Sequence, residues 1–453
     1  MRTVPGFQCE SSSLFGNVVR FMIRLRVTII CVLALWLGCP SPSEAYSVLT
    51  HEAIIDTAWE TNICPLLLHR FPSSTPDDLR KAHAYAYGGA IIQDMGYYPH
   101  GNKFLSDLTH YFRSGDFIEA LLKDSQDLNE YAFAIGAMAH YAADNNGHRL
   151  ATNLAVPMLY AKVKKKYGSV ATYEDDPLAH VKTEFGFDVL EVAKGRYAPD
   201  SYHDFIGFEV ALPLLERAFQ ETYGLDLKSV LQDEPRVISS YRHAVSSLIP
   251  QATRIAWKLK QDDIRKDLPG ITRRKFLYNL SRASYEKEWG KDYSTPGAEA
   301  VFLSFLYRIL PKIGPLRVLA FRTPTPQTER LFEDSFNVTL DRYRAYLTEL
   351  RGGAVNLPND NFDVGEATAR GKYRMSDDVC AQLLDKLAEQ QFADTSPELR
   401  TELSRFFSGP EPPASARLTN KFRSRLKEEI QRLETTSLIP TANKTEQVQT
   451  SPQ

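Results

Sequence analysis

The segment His140-Tyr141-Ala142-Ala143-Asp144-Asn145-Asn146-Gly147-His148 continues an apolar-periodic stretch at 128–143 and places three metal-competent side chains four residues apart. On a helix, residues at that interval lie about 40° round and roughly 6 Å up the axis. His140 and Asp144 therefore grip one ion from adjacent turns. If the helix continues, His148 lies roughly 12 Å from His140, too far to share an ion whose ligand bonds are about 2 Å long. It is expected to serve a second ion, with Asp144 as a bridge between the two. Gly147 is placed to break the helix and re-aim His148. The pair His180-Val181-Lys182-Thr183-Glu184 repeats the four-residue interval in the first turns of a helix opened by Asp176-Pro177. It chelates a second ion whose third ligand is available from His148.

The rest of the chain also reads as helix. No internal repeat and no clear run of alternating strands is present. Thr75-Pro76-Asp77-Asp78 is a helix start: a capping hydroxyl, proline in the first turn and acids at the positive end of the dipole. Further apolar-periodic segments fall at 202–222, 237–259, 298–310, 327–349, 376–390 and 416–433. Leu268-Pro269-Gly270 is a break that suits a domain boundary, with 269–435 a helical C-terminal region and 436–453 a polar, disordered tail. All ten histidines lie between His51 and His243, which confines metal chemistry to the first domain, 46–268. Net charge is −2, so no strong global field draws the chain to nucleic acid or an anionic membrane. The run Lys162, Lys164, Lys165, Lys166 reads as a solvated helix face.

The beginning of the chain carries an export pattern. Arg20, Arg24 and Arg26 precede an apolar run at 27–38, too short to span a bilayer comfortably, and Ser43-Glu44-Ala45 offers a small-x-small cleavage site. Cleavage there makes 1–45 a signal peptide and Tyr46 the first mature residue. Met22 is a more ordinary start than Met1. Leu37-Gly38-Cys39 partly resembles a lipoprotein box, with Trp36 and Pro40 against it. After cleavage at Ala45 two of the five cysteines remain, Cys64 and Cys380, enough for one disulfide. No CxxC occurs, so a metal site has to draw on His and carboxylates.

Three more residues enter as single candidates: Asp94 at a helix end, His110 in Thr109-His110-Tyr111, and His51 near a helix start. Taken alone, an aspartate at a helix end is usually a cap, and a lone histidine is usually a hydrogen-bonded core or surface residue. His69, His83, His100, His203 and His243 are read that way.

As an ordered set over residues 46–260, these features resemble the zinc-dependent phospholipases C and their relatives, the single-strand-specific fungal nucleases. The set comprises a mature N-terminal aromatic residue, an early His, then Asp, His, His-x3-Asp, His and His-x3-Asp/Glu. The resemblance implies an all-α, multi-helical domain with three zinc ions. One would be held by Asp94, His110, His140 and Asp144, and a second by His148, His180 and Glu184. A third would take His51, Asp144 as a bridge, and the backbone amine and carbonyl of Tyr46. A free α-amine has a pKa of about 8, so a metal displaces its proton near neutral pH. The chain departs from the family in having Tyr46 where Trp is usual and a short interval before His148. The step from Tyr46 to His51 is closer to the nucleases, and Glu184 is closer to the phospholipases.

The implied function is phosphodiester hydrolysis. Zinc lowers the pKa of water towards neutrality and neutralises phosphate oxygens, and Asp94 is placed as general base as well as ligand. A phospholipid is the expected substrate, with diacylglycerol and a phosphoalcohol as products. The segment 301–310 reads either as a lipid-interface contact or as a core helix. Tyr97, Tyr98 and Tyr111 read as packing residues or as stacking platforms. Two alternatives stand beside this: a single-strand nuclease with the same three-zinc site, and a non-catalytic exported protein stapled by zinc.

Overall fold

The computed structural model describes residues 47–196, 208–243, 249–272, 314–410 and 420–435. The leader at 1–45, Tyr46, His203, the segment at 298–310 and the tail at 436–453 lie outside these described residues. The fold is all-α. Helices α1 (Val48–Ala58), α2 (Cys64–Arg70), α3 (Pro76–Gly89), α4 (Lys103–Tyr111), α5 (Ser114–Asp124), α6 (Leu128–Gly147), α7 (Asn153–Leu159), α8 (Ala161–Tyr167) and α9 (Pro177–Lys194) come first. They are followed by α10 (Leu212–Tyr223), α11 (Leu227–Val230), α12 (Glu234–His243) and α13 (Ile249–Asp267). The later chain adds α14 (Pro326–Arg351), α15 (Arg374–Glu389), α16 (Pro397–Ser408) and α17 (Asn420–Thr435). Among the described residues the only sheet is a two-stranded hairpin, β1 (Asp360–Asn361) and β2 (Glu366–Ala367), antiparallel with Asp360 opposite Ala367.

Local signals account for the helix starts. Thr75 and Asp78 form a reciprocal capping box at the start of α3. Asp176 accepts from the Ala179 amide and opens α9. Of the expected helix at 237–259, residues 237–243 fall in α12 and 249–259 in α13, and 244–248 lie outside the described residues. Lys162, Lys164, Lys165 and Lys166 are exposed on α8, while Val163 is its buried residue.

Helix α6 is the centre of the molecule. It is buried all round from Tyr131 to Asp144, which its alanine-rich sequence permits, because small side chains let neighbouring helices close in on every side. Helix α3 crosses it closely enough that a Cβ on Gly136 would overlap the Ala86 carbonyl oxygen, and one on Gly89 would overlap that of Phe133. Gly147 does not break the helix, contrary to expectation. Its backbone stays in the right-handed helical region and α6 passes directly into a π-helical turn, His148–Thr152. That wider turn, rather than a break, changes the direction in which His148 points.

Helix α13 ends at Asp267, at the expected break, yet the hydrophobic core is continuous across it. Phe332, Tyr343, Phe362 and Leu384 belong to the same buried cluster as Ile54, Tyr87 and Ile135. Phe332 of α14 stacks on Phe187 of α9 with centroids 4.8 Å apart. The Tyr343 hydroxyl donates to the Ile135 carbonyl of α6 at 3.1 Å. Cys64 and Cys380 are both free thiols.

Gly136→Ala is expected to destabilise the protein. Forcing a methyl into a closed helix crossing costs about 1–3 kcal/mol or more, which outweighs the ~1 kcal/mol that alanine gains over glycine in helix propensity. A lowered urea midpoint with an unchanged slope is the expected result; an unchanged or raised midpoint would show that the crossing yields freely.

Candidate metal centre

Five elements bring the expected residues together around the C-terminal half of α6. His51 comes from α1, Asp94 from the 3-10 turn Ile92–Tyr97, His110 from the last turn of α4, His140 and Asp144 from α6, and His180 and Glu184 from α9. With His148 they are all buried, none more than 3% exposed. Three clusters emerge: His51, Asp94 and His140; His110, His140 and Asp144; and His148, His180 and Glu184.

Distances in the first region suit a tetrahedral ion. Two ligands of such an ion, each about 2 Å from it, stand about 3.3 Å apart. His110 Nε2 is 3.2 Å from Asp94 Oδ1 and 3.4 Å from Asp144 Oδ2. His140 Nε2 is 3.1 Å from Asp144 Oδ2 and 3.4 Å from His110 Nε2. Both oxygens of Asp94 and both of Asp144 are buried without a hydrogen bond among the described residues. Buried carboxylates are ordinarily hydrogen-bonded, so this donor set fits a cation. The second oxygen of Asp144 faces the other way, with Oδ1 3.6 Å from His51 Nε2, the placement a bridging carboxylate needs. The His51 ring stacks on that of His140, centroids 4.5 Å apart.

The histidine tautomers are set from behind. His110 Nδ1 lies 2.7 Å from the Ser106 carbonyl oxygen, and His140 Nδ1 lies 2.9 Å from that of Ala90. A carbonyl can only accept, so each Nδ1 carries the proton and each Nε2 keeps its lone pair for the cluster. Without an ion, the carboxylates draw a second proton onto the His110 ring, in the place that a cation would take. Burial alone would lower His110, but Asp144 and Asp94 outweigh it and hold the imidazole at about 10. Against its own burial, Asp144 is held well below the carboxylate range by His140, His110 and His51. The pocket is built to hold positive charge among its carboxylates.

In the second region His180 Nδ1 is 3.0 Å from Glu184 Oε1, and the His148 and His180 rings are 5.2 Å apart. His148 Nε2 lies 3.9 Å from Asp144 Oδ2, so the π-helical turn keeps it beside the bridging position. The start of α1, and with it His51, is pinned by Asp188 on α9. Its carboxylate accepts from the Thr50 hydroxyl at 2.7 Å and the Leu49 amide at 3.1 Å. Burial raises Asp188 to about 6, against the hydrogen bonds from Thr50 and its neighbours. Tyr46 lies outside the described residues; Ser47, the first described residue, is buried at the N-cap of α1.

Residues that spacing does not reveal also line the site. Asp363, from the turn between β1 and β2, has Oδ1 3.2 Å from His148 Nδ1. Burial raises its carboxyl to about 7, against the Tyr373 hydroxyl and the Tyr173 amide. Phe362 beside it packs edge-on against His110 and takes a backbone bond to the His110 carbonyl at 3.1 Å. The local signal for this turn is Asn361, whose side chain accepts from the amides of Asp363 and Val364, ahead of Gly365 in the left-handed region. That pattern indicates a turn and says nothing of its partner.

Three of the other histidines are described with their side chains. His69 and His100 are exposed, and His83 is sandwiched between Trp59 and Tyr87 and bonded to Asp56 at 3.1 Å. Tyr97, Tyr98 and Tyr111 are buried as packing residues; the Tyr97 hydroxyl donates to Asp107 and Tyr98 packs edge-on against Tyr241.

Comparison with curated proteins and with solved structures gave no match. Residues 50–232, the stretch holding every clustered residue from His51 to Glu184, match the model of the family described as zinc dependent phospholipase C.

Proposed function

We propose that this chain is an exported zinc-dependent phosphodiester hydrolase that cleaves the headgroup bond of a phospholipid, releasing diacylglycerol and a phosphoalcohol. The observation that carries the reading is the set of tetrahedral-edge distances among Asp94, His110, His140 and Asp144, within a segment of zinc-dependent phospholipase C type. Asp94, His110, His140 and Asp144 would hold one ion, and His148, His180 and Glu184 a second. His51, Asp144 and the amine and carbonyl of Tyr46 would hold a third. Zinc supplies Lewis acidity near neutral pH, ionising water and neutralising phosphate oxygens. The chain's own part is to hold the donors rigidly and dry. Backbone carbonyls fix His110 and His140 with Nε2 forward, Asp188 fixes the start of α1, and Asp144 offers one oxygen to each of two clusters. Asp94, with both oxygens inside the pocket and no hydrogen bond, is placed to accept a proton as well as to ligate. The buried tyrosines beside the ligands are occupied in packing, which supports a lipid substrate over one that requires base-stacking platforms.

Zinc-loaded protein should release headgroup from phosphatidylcholine vesicles and leave single-stranded DNA intact; cleavage of the DNA alone would assign the site to a nuclease. Asp144→Asn removes a charge shared by two clusters. It should lower the rate by more than about 100-fold, beyond the usual loss of an outer partner, and reduce bound zinc. Full zinc content with a full rate would refute the bridging role.

Export should generate a Tyr46 N-terminus and about three zinc ions per chain, on the metal-site chemistry above. N-terminal sequencing together with metal analysis of the secreted protein checks both. A lipidated Cys39 start would remove the N-terminal ligand.

A further inference from the structure

The turn between β1 and β2 lies outside the family-matched segment, yet it reaches both histidines of the second cluster, His148 directly and His180 through Asn153. Asp363 presents its two carboxylate oxygens to different partners. Oδ2 accepts from the Tyr173 amide at 2.8 Å and from the Tyr373 hydroxyl. Oδ1 is fully buried, has no hydrogen bond among the described residues, and stands 3.2 Å from His148 Nδ1, a nitrogen in the same condition. The backbone carbonyl of Asp363 makes a second connection. It accepts from Asn153 Nδ2 at 2.7 Å. A carbonyl cannot donate, so the Asn153 amide nitrogen must face it and the amide oxygen must face the other way. That oxygen lies 2.8 Å from His180 Nε2. His180 therefore carries its proton on Nε2, and Nδ1 keeps its lone pair beside Glu184 Oε1.

We propose that Asp363 is a positioning residue that fixes the ring tautomers of both second-cluster histidines, through its carboxylate for His148 and through Asn153 for His180. This rests on the metal-centre reading above and assigns a role in it to the later part of the chain. The negative charge of the carboxylate, 3.2 Å from Nδ1, favours the proton of His148 on that nitrogen, so Nε2 is the one presented to the cluster. His110 and His140 receive the same service from the carbonyls of Ser106 and Ala90, within the family-matched segment. For His148 and His180 the acceptor is supplied, directly or through one relay, from the β1–β2 turn.

The near-isosteric variant Asp363→Asn tests this. The Tyr173 amide can only donate, so the asparagine oxygen must stay at the Oδ2 position and the amide NH2 must turn to His148 Nδ1. His148 Nδ1 is then forced to accept, and the proton moves to Nε2. At pH 8, competition of the full chain against a graded zinc chelator should show one ion held about 10–100-fold more weakly than in wild type, the range for loss of an outer partner, with the others unchanged. Nitrogen-15 NMR of the histidine rings in the zinc-free protein should show His148 in the opposite tautomer. Tyr373→Phe is the control, because it removes a bond to Oδ2 and leaves Oδ1 in place. It should keep wild-type zinc affinity and the wild-type tautomer. Unchanged zinc affinity in Asp363→Asn overturns the proposal, and so does an equal loss in Tyr373→Phe, which would mean that the turn acts only through packing. Wild-type protein that binds no zinc at all would instead sink the metal-centre reading itself.

Discussion

Asp144 is a carboxylate with no exposed surface, and the architecture is arranged around the demand that this creates. Moving such an ion from water to a dry interior has an idealised cost of order 20 kcal/mol, and three imidazole nitrogens, from His51, His110 and His140, stand within 3.6 Å of its two oxygens. Nothing on α6 itself could meet that demand except His140. The others arrive from α1 and α4, so those helices must pack against this one stretch of α6 at close range. The alanines of α6 and the glycines at its crossing with α3 make the close range attainable.

Tautomer control is the second layer. A histidine can serve a metal only if the correct nitrogen is bare, and each of four rings has an oxygen acceptor facing its other nitrogen: Ser106, Ala90, Asn153 and Asp363. Two of these acceptors are main-chain carbonyls: Ser106 lies one turn back on α4 from His110, and Ala90 lies at the end of α3, where that helix crosses α6. The other two are side chains held by contacts between distant parts of the sequence.

That division explains what could be read from the sequence. The four-residue spacing of His140, Asp144 and His148, and of His180 and Glu184, is a local property of helices, so it was visible. The starts of α3 and α9 were legible for the same reason, since Thr75-Pro76 and Asp176-Pro177 act on their own neighbours. Asp94 and His110 carry no local mark and entered through family resemblance. Asp363 and Asn153 could not be found, because the bond between them joins residues 210 positions apart. The fate of Gly147 was misjudged because a glycine's freedom permits a break without requiring one; packing around α6 held it helical. The apparent boundary at 268 was a real end of a helix, yet the core runs on through Phe332, Tyr343 and Phe362.

The β1–β2 turn has a consequence for the order of events in the protein's life. Synthesis proceeds from the N-terminus, and every clustered residue from His51 to Glu184 emerges long before Asp363 does. Until that turn arrives and docks on α4 and α6, His148 faces no acceptor from it and the Asn153 amide has no carbonyl to orient it. Contacts of such long sequence separation form late, since the chain must close a large loop before they reward it. A partly made or truncated chain therefore carries the ligands without their final alignment. On the proposed role of Asp363, the last third of the sequence acts as a completion signal: the clustered side chains reach their final alignment only in a molecule that has been made, and folded, to the end.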